Sequence, residues 1–263
     1  MKITAVAFLS LLGLSAAAQA ALVAKTVNYQ ADGQALKGYL VYDNAYHGKR
    51  PGVLVVHEWW GLNGYARGRA RMLAKDGYTA LALDMYGNGK TANHPKTAEA
   101  FMNAVNSNMP VEKARFTAAY DLLNGQPTVK KGDIAAIGYC FGGGVVLNMA
   151  RLGMQLKSVI SFHGMLMSDI KAEPGRIKPK ILVFTGGADK FVPAKEVAAF
   201  EREMKADKAD FRVVVYPGAE HSFTNPSATA LGKKFDLPLK YDPTADKDSW
   251  AQTRVFLKQT LGE

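Results

Sequence analysis

The stretch from Asp133 to Ala150 constrains this chain more than any other. It reads Asp-Ile-Ala-Ala-Ile-Gly-Tyr-Cys-Phe-Gly-Gly-Gly-Val-Val-Leu-Asn-Met-Ala. A short apolar run stops at Gly138, the single cysteine of the protein follows at Cys140, and three glycines lead into an apolar segment of helical spacing. The pattern predicts a strand, a sharp turn and a helix, with the cysteine on the turn. So tight a turn needs its glycines, because neighbouring side chains would collide with strand and helix. Gly-x-Cys-x-Gly is the nucleophile-elbow pattern Gly-x-Ser-x-Gly with sulfur in place of oxygen. The following helix aims its positive dipole end at the turn, which favours a thiolate. Two blander readings stand beside this one. A lone cysteine is most often a small buried hydrophobe. A glycine cluster after a strand can also bind phosphate, but the stretch has neither Gly-Lys-Ser/Thr nor Gly-x-Gly-x-x-Gly.

The rest of the chain supplies elements of the same kind. Val23 to Tyr29 and Leu36 to Tyr42 alternate in polarity around Ala31-Asp-Gly33 and predict an antiparallel hairpin. Gly52–His57 is a continuous apolar run, which suits a strand buried on both faces, and Tyr78–Asp84 is the next such strand. Ile134–Tyr139 is the strand before the turn, Ser158–Phe162 and Ile181–Thr185 are expected as further core strands, and Phe211–Tyr216 as a strand. Helices are expected at Gly64–Asp76, Lys96–Asn106, Val111–Asn124, Phe141–Leu152, Ala194–Ala206 and Ser249–Leu261. Strands alternating with helices mean βαβ units in an α/β fold. Thr224 to Lys247, with Pro226, Pro238 and Pro243, is expected to be an ordered surface excursion.

The chain begins with Met1-Lys2, an apolar run to Leu14, and small residues ending in Ala18-Gln-Ala20. This predicts a cleavable secretory signal at residues 1–20, too short for a spanning helix, and a mature protein in the periplasm or medium. Residues 21–263 are expected to form one α/β domain. Nothing later approaches the ~18 apolar residues of a membrane span. In an oxidising compartment an exposed single thiol is a liability, which hints at a use for Cys140. The net charge of +10 comes from scattered residues, with no basic stripe interleaved with aromatics, so no nucleic-acid partner is expected. Oligomeric state is not legible.

In open α/β sheets reactive groups gather where strands end. After the predicted strands come His57-Glu58-Trp59-Trp60, Asp84-Met85-Tyr86, Cys140, His163, Asp189 and His221. A cysteine nucleophile needs a base, and the base an orienting acid. Cys140, Asp189 and His221 follow the chain order nucleophile, acid, histidine. Asp189 could instead cap or form a turn, and His221 could be a surface histidine. His57 and His163 do not complete that order and are expected to be structural.

Together, His57-Glu-Trp-Trp-Gly-Leu-Asn63, Leu83-Asp-Met-Tyr86, Gly138-Tyr-Cys-Phe-Gly-Gly143, Asp189 with Val192-Pro193, and His221-Ser-Phe223 resemble the dienelactone hydrolase family, a branch of the α/β hydrolases. The resemblance runs from about Lys25 to the C-terminus. It implies a Cys140-Asp189-His221 triad and a Glu58 that contacts the thiol and helps deprotonate it when substrate enters. It also implies an oxyanion hole from the backbone N–H groups of Trp59 and Phe141, and no need for a cofactor or metal. Relatives that act on dienelactone hold its carboxylate with two arginines. Asn88 and Asn225 stand where those would be expected, and Arg67 or Lys90 could compensate.

The chemistry is coherent. An ordinary thiol of pKa ~8.5 is only about 3% ionised at pH 7, so a cysteine nucleophile needs activation. Thiolate competes well as a leaving group against alkoxide or enolate and poorly against an amine, so the expected substrates are small esters or lactones. Trp59, Trp60, Tyr86, Phe141 and Phe223 are expected to wall an apolar pocket, with core packing as the alternative. Two other functions remain open at this point, a non-catalytic binding protein on the same fold and a thiol redox sensor. The second would lack a resolving cysteine.

Overall fold

The computed structural model describes residues 22–262. The predicted signal at residues 1–20 lies outside them. Leu22–Ala31 (β1) and Gln34–Asp43 (β2) pair antiparallel from Leu22 with Asp43 to Ala31 with Gln34. Asp32 and Gly33, at φ 47° and 72°, close this hairpin. Arg50–Val56 (β3), Thr79–Leu83 (β4), Val129–Tyr139 (β5), Ser158–Phe162 (β6), Lys180–Gly186 (β7) and Phe211–Tyr216 (β8) pair in parallel. The sheet described has the order β1-β2-β4-β3-β5-β6-β7-β8, with β2 antiparallel to β4. The mostly parallel α/β sheet and the N-terminal hairpin are as expected.

Every residue of β3, β4 and β6 is buried, which is why their sequences are mostly apolar without regular alternation, with Arg50, Thr79, Ser158 and Ser161 as the buried polar exceptions. Successive side chains serve opposite faces. Leu54, Val56, Ile134, Ala136, Ile181 and Val183 enter one core, while Val53, Val55, Ala135, Ile137, Leu182 and Phe184 enter the other. The first core is covered by Pro95–Asn106 (α2), Met109–Asn124 (α3), Phe141–Arg151 (α4) and Ala194–Ala206 (α5). The second is covered by Gly64–Lys75 (α1) and Pro243–Leu261 (α7). Asn63 caps α1 by accepting from the N–H groups of Tyr65 and Ala66, and Asp242 caps α7 through Thr244 and Ala245. Each cap contributes about 1 kcal/mol.

Two differences from the predicted elements have physical reasons. The excursion at 224–247 contains a helix, Ala228–Phe235 (α6), and α7 begins at Pro243 rather than Ser249. Gly232 weakens the helical pattern of α6, but a Cβ there would overlap the Leu239 carbonyl oxygen, so close packing outweighs propensity. Asp242-Pro243 is a readable helix start, with an acceptor at the cap and proline in the first turn. Among the described residues, no helix is long and apolar enough to cross a membrane.

The helix after Cys140 is braced at its far end. Arg151 forms a fork with Glu203 of α5, at 2.7 and 2.8 Å, and donates to the Leu166 carbonyl at 2.8 Å. Arg151 is only 2% exposed, and a buried guanidinium is tolerated only when it is paired in this way.

Candidate active site

The loops after β3, β5, β7 and β8 meet above the sheet. Cys140 stands between β5 and α4 at φ 53° and ψ −116°, left-handed backbone that a non-glycine residue adopts only when its surroundings impose it. Its N–H donates to Phe162 O at 3.0 Å, and its carbonyl accepts from Gly143 at 2.9 Å. Gly142 makes the turn possible, since a Cβ there would overlap the Val56 carbonyl oxygen. The side chain is half-buried.

Asp189 and His221 are each 4% exposed, and His221 Nδ1 donates to Asp189 Oδ2 at 2.8 Å. The other carboxylate oxygen accepts from the N–H groups of Phe191 and Val192 at 2.8 and 3.2 Å. Asp189 therefore both forms a turn and orients the imidazole. The Cys140 thiol sits against the same ring. Burial works against charge on His221, but the nearby Cys140 and the bonded Asp189 favour its proton and push it up to about 10. The structure thus brings together Cys140, Asp189 and His221.

Glu58 is buried beside them. Its oxygens accept from Ser222 Oγ at 2.9 Å and Asn225 Nδ2 at 2.6 Å. Burial raises the carboxyl above its ordinary range, and these two donors oppose that rise. The side-chain bonds of Glu58 therefore run to the His221 loop rather than to the thiol contact that the resemblance implies. Ser222 falls within the sequence pattern, but its partner is not readable from spacing.

The N–H groups of Trp59 and Phe141 have no acceptor among the described residues, as donors reserved for a ligand would. Tyr86 fixes the Trp59 backbone by donating to its carbonyl at 3.0 Å. Tyr86 packs 5.6 Å from Phe141 and 5.5 Å from Phe101. Burial and the nearby Cys140 hold its phenol well above its usual range. Phe191 adds a ring 4.9 Å from His221 and stays exposed.

Of the sequence-predicted pocket residues, Phe223, Trp60 and Asn88 lie outside this cluster, and Asn225 is in it as a partner of Glu58. Phe223 is wholly buried in the α1/α7 core against His163 and Tyr216, because it points to the face opposite Ser222. Trp60 turns onto Trp59 and Phe235 and lines a cleft of about 980 Å³ that runs along α1 and α6 and does not include Cys140. Asn225 commits its Nδ2 to Glu58 and its Oδ1 to Ser227 N, leaving little for a substrate. Asn88 is exposed at φ 56° on a turn wound around Asp84, whose oxygens accept from Tyr86, Gly87 and Gly89. Both suggested replacement cations lie over aromatic rings. Arg67 stacks over Tyr39, and Lys90 over Phe101.

His57 and His163 are placed as structural groups. Met85 N–H donates to His57 Nε2 at 3.3 Å, so Nδ1 carries the proton and donates to Glu58 O at 2.6 Å. Burial holds His57 neutral. His163 is also held well below its ordinary range, by burial and by the charges of His221 and Arg69. No group of three or more potential metal ligands occurs among the described residues.

Comparison with known proteins bears on the family and the fold. Residues 36–261 match the Dienelactone hydrolase family. Protein usf of Aquifex pyrophilus is 29% identical over 240 residues, covering 89% of this chain and 98% of that one. The crystal structure of P91, a dienelactone hydrolase-like promiscuous phosphotriesterase from metagenomic libraries, is 34% identical. It superposes with a TM-score of 0.86 over 91% of this chain and 99% of its own. Dienelactone hydrolase from Anabaena variabilis, 22% identical, shares the fold with a TM-score of 0.59 over 81% of this chain and 94% of its own.

Proposed function

Because this chain belongs to the dienelactone hydrolase family, we propose that it is a cysteine-dependent hydrolase of carboxylic esters or lactones. One observation carries the reading. The Asp189–His221 hydrogen bond of 2.8 Å orients an imidazole that faces the strained cysteine of the elbow.

On this reading the Cys140 thiolate attacks the substrate carbonyl, forming a C–S bond and a tetrahedral oxyanion. Trp59 N–H and Phe141 N–H receive the oxyanion; losing one such donor costs roughly 3 kcal/mol in other hydrolases. Collapse breaks the C–O bond, and the His221 imidazolium protonates the departing alkoxide. His221 then takes a proton from water, which attacks the thioester and expels the thiolate. Asp189 holds the tautomer and stabilises the imidazolium. Glu58 assists deprotonation of the thiol once substrate displaces it from Ser222 and Asn225. Tyr86, Phe141 and Trp59 present the apolar wall.

The substrate is expected to be neutral. No arginine occupies positions 88 or 225, and Asn225 is already bound to Glu58. Charge-assisted bonds are about twice as strong as neutral ones, so two missing arginines matter. The expected result is a kcat/KM for a neutral ester about tenfold or more above that for a carboxylate-bearing dienelactone of similar size. A strong preference for the anion, undiminished by raised salt, would show this to be wrong. A phosphotriester is also neutral and electrophilic. Likeness to the 34% identical phosphotriesterase P91 makes it a second substrate class for the same screen.

A binding protein without turnover and a thiol redox sensor are the competing readings. The oriented histidine argues against the first, and the lack of a second cysteine against the other. Export is proposed from residues 1–20. Mass spectrometry of envelope-fraction protein should give an N-terminus near Ala21, and intact Met1 on cytoplasmic protein would remove this part of the reading.

A further inference from the structure

Thr224 lies on the loop that carries His221, Ser222 and Asn225, and three side chains from outside the loop converge on it. Tyr65 of α1 places its hydroxyl 2.6 Å from Thr224 Oγ1, and His163 Nε2 lies 2.8 Å from the same oxygen. Arg69, one helical turn after Tyr65, donates to the Thr224 carbonyl at 2.5 Å and to Asp246 of α7 at 2.5 Å. The Arg69 guanidinium also lies 5.2 Å from the ring of Tyr65 and 5.5 Å from those of Tyr139 and Trp250. The segment before α7 adds two backbone bonds, from Lys240 N–H to His221 O and from Asp242 N–H to Phe223 O.

Arg69 is 5% exposed, and so expensive a burial calls for a return. Its partners join α1 and α7 to one point of one loop. That loop has two tasks at once. His221 must face the Cys140 thiol, and Ser222 and Asn225 must reach Glu58. A displacement that served one would spoil the other, and misplacement of a reacting group by about 1 Å can cost 10²-fold in rate.

We propose that Tyr65, Arg69 and Thr224 are positioning residues that fix the 221–225 loop so that the His221–Cys140 and Glu58 contacts coexist. The proposal rests on the cysteine-hydrolase reading for its kinetic consequence, though not for its effect on the thiol. Thr224→Val keeps the shape and deletes the hydroxyl shared by Tyr65 and His163. It should lower kcat on a neutral p-nitrophenyl ester by about 10- to 100-fold with KM changed less than about twofold. Thr224→Ser, which keeps the hydroxyl, should restore kcat.

The second readout is the pH dependence of Cys140 capture by iodoacetamide. Its midpoint should rise in Thr224→Val and return in Thr224→Ser. This arm needs no ester turnover, so an inactive wild-type protein would count against the hydrolase reading and leave the positioning test intact. If Thr224→Val does not fold, Tyr65→Phe carries the test, since it removes one hydroxyl without changing volume. A smaller shift in the same direction supports the proposal. A folded Thr224→Val or Tyr65→Phe variant with wild-type kcat and capture midpoint, whatever its Tm, overturns it.

Discussion

Cys140→Ala is expected to lower kcat for a p-nitrophenyl ester by about 10⁴-fold or more while leaving the fold intact. Removing the nucleophile of a hydrolytic triad typically costs on the order of 10⁶ in kcat, and the oxyanion donors and binding alone retain about 10³–10⁴ over water. The fold should survive for a local reason. Cys140 is half-buried and its sulfur bonds only within the site, to His221, while its backbone bonds to Phe162 and Gly143 do not depend on the side chain. Alanine is no better suited than cysteine to φ 53°, so relief of strain is not expected either. Circular dichroism and Tm should stay close to wild type. Retained turnover in the purified variant would remove Cys140 from the mechanism, and a lost fold would make the kinetic comparison meaningless.

Legibility followed how directly the physics reaches the sequence. Strands buried on both faces show as apolar runs with no competing pattern, as Val53-Leu-Val-Val56 of β3 does. The elbow was equally plain, because its glycines are forced by backbone contact. Which loops carry Cys140, Asp189 and His221 was readable, since strand ends gather at one edge of such a sheet. The direction of side chains on those loops was not. Ser222 and Phe223 are neighbours, yet one bonds Glu58 and the other fills the core between His163 and Tyr216. Alternation of this kind is predictable within a strand and not on a loop, where φ 59° at Ser222 redirects the chain. Asn225 shows the same limit. Its spacing from His221 suggested a substrate contact, and only the fold shows that Glu58 takes its amide first. Arg69 gave no signal at all, because the partner it holds, Thr224, is 155 residues away.

Gly138→Ala should be nearly as damaging to activity as loss of the nucleophile, and by a different route. A Cβ on residue 138 would overlap the carbonyl oxygen of Gly142 and crowd the Gly143 nitrogen at 2.7 Å. These are backbone atoms in the first turn of α4, so no side chain can rotate away. The helix cannot retreat either. Gly142 is itself wedged against the carbonyl oxygens of Val56 and His57, and a Cβ on Gly143 would meet Ser161 Oγ at 2.6 Å. The remaining response is to open the turn, which moves both Cys140 and the Phe141 amide away from His221. Overpacking of this severity costs about 3 kcal/mol or more, and a chain of this size loses about 2–4 °C of Tm per kcal/mol. The expected variant melts roughly 10 °C lower and has no measurable ester turnover. Gly144→Ala is the control from the same glycine run. Its Cβ would meet only Met165, at 3.5 and 3.6 Å, which is ordinary contact, and alanine gains about 1 kcal/mol of helix propensity over glycine. Gly144→Ala should therefore keep or slightly raise Tm and remain active. If Gly138→Ala instead melted and reacted like Gly144→Ala, the close approach of β5 to α4 would not be what holds Cys140 in place.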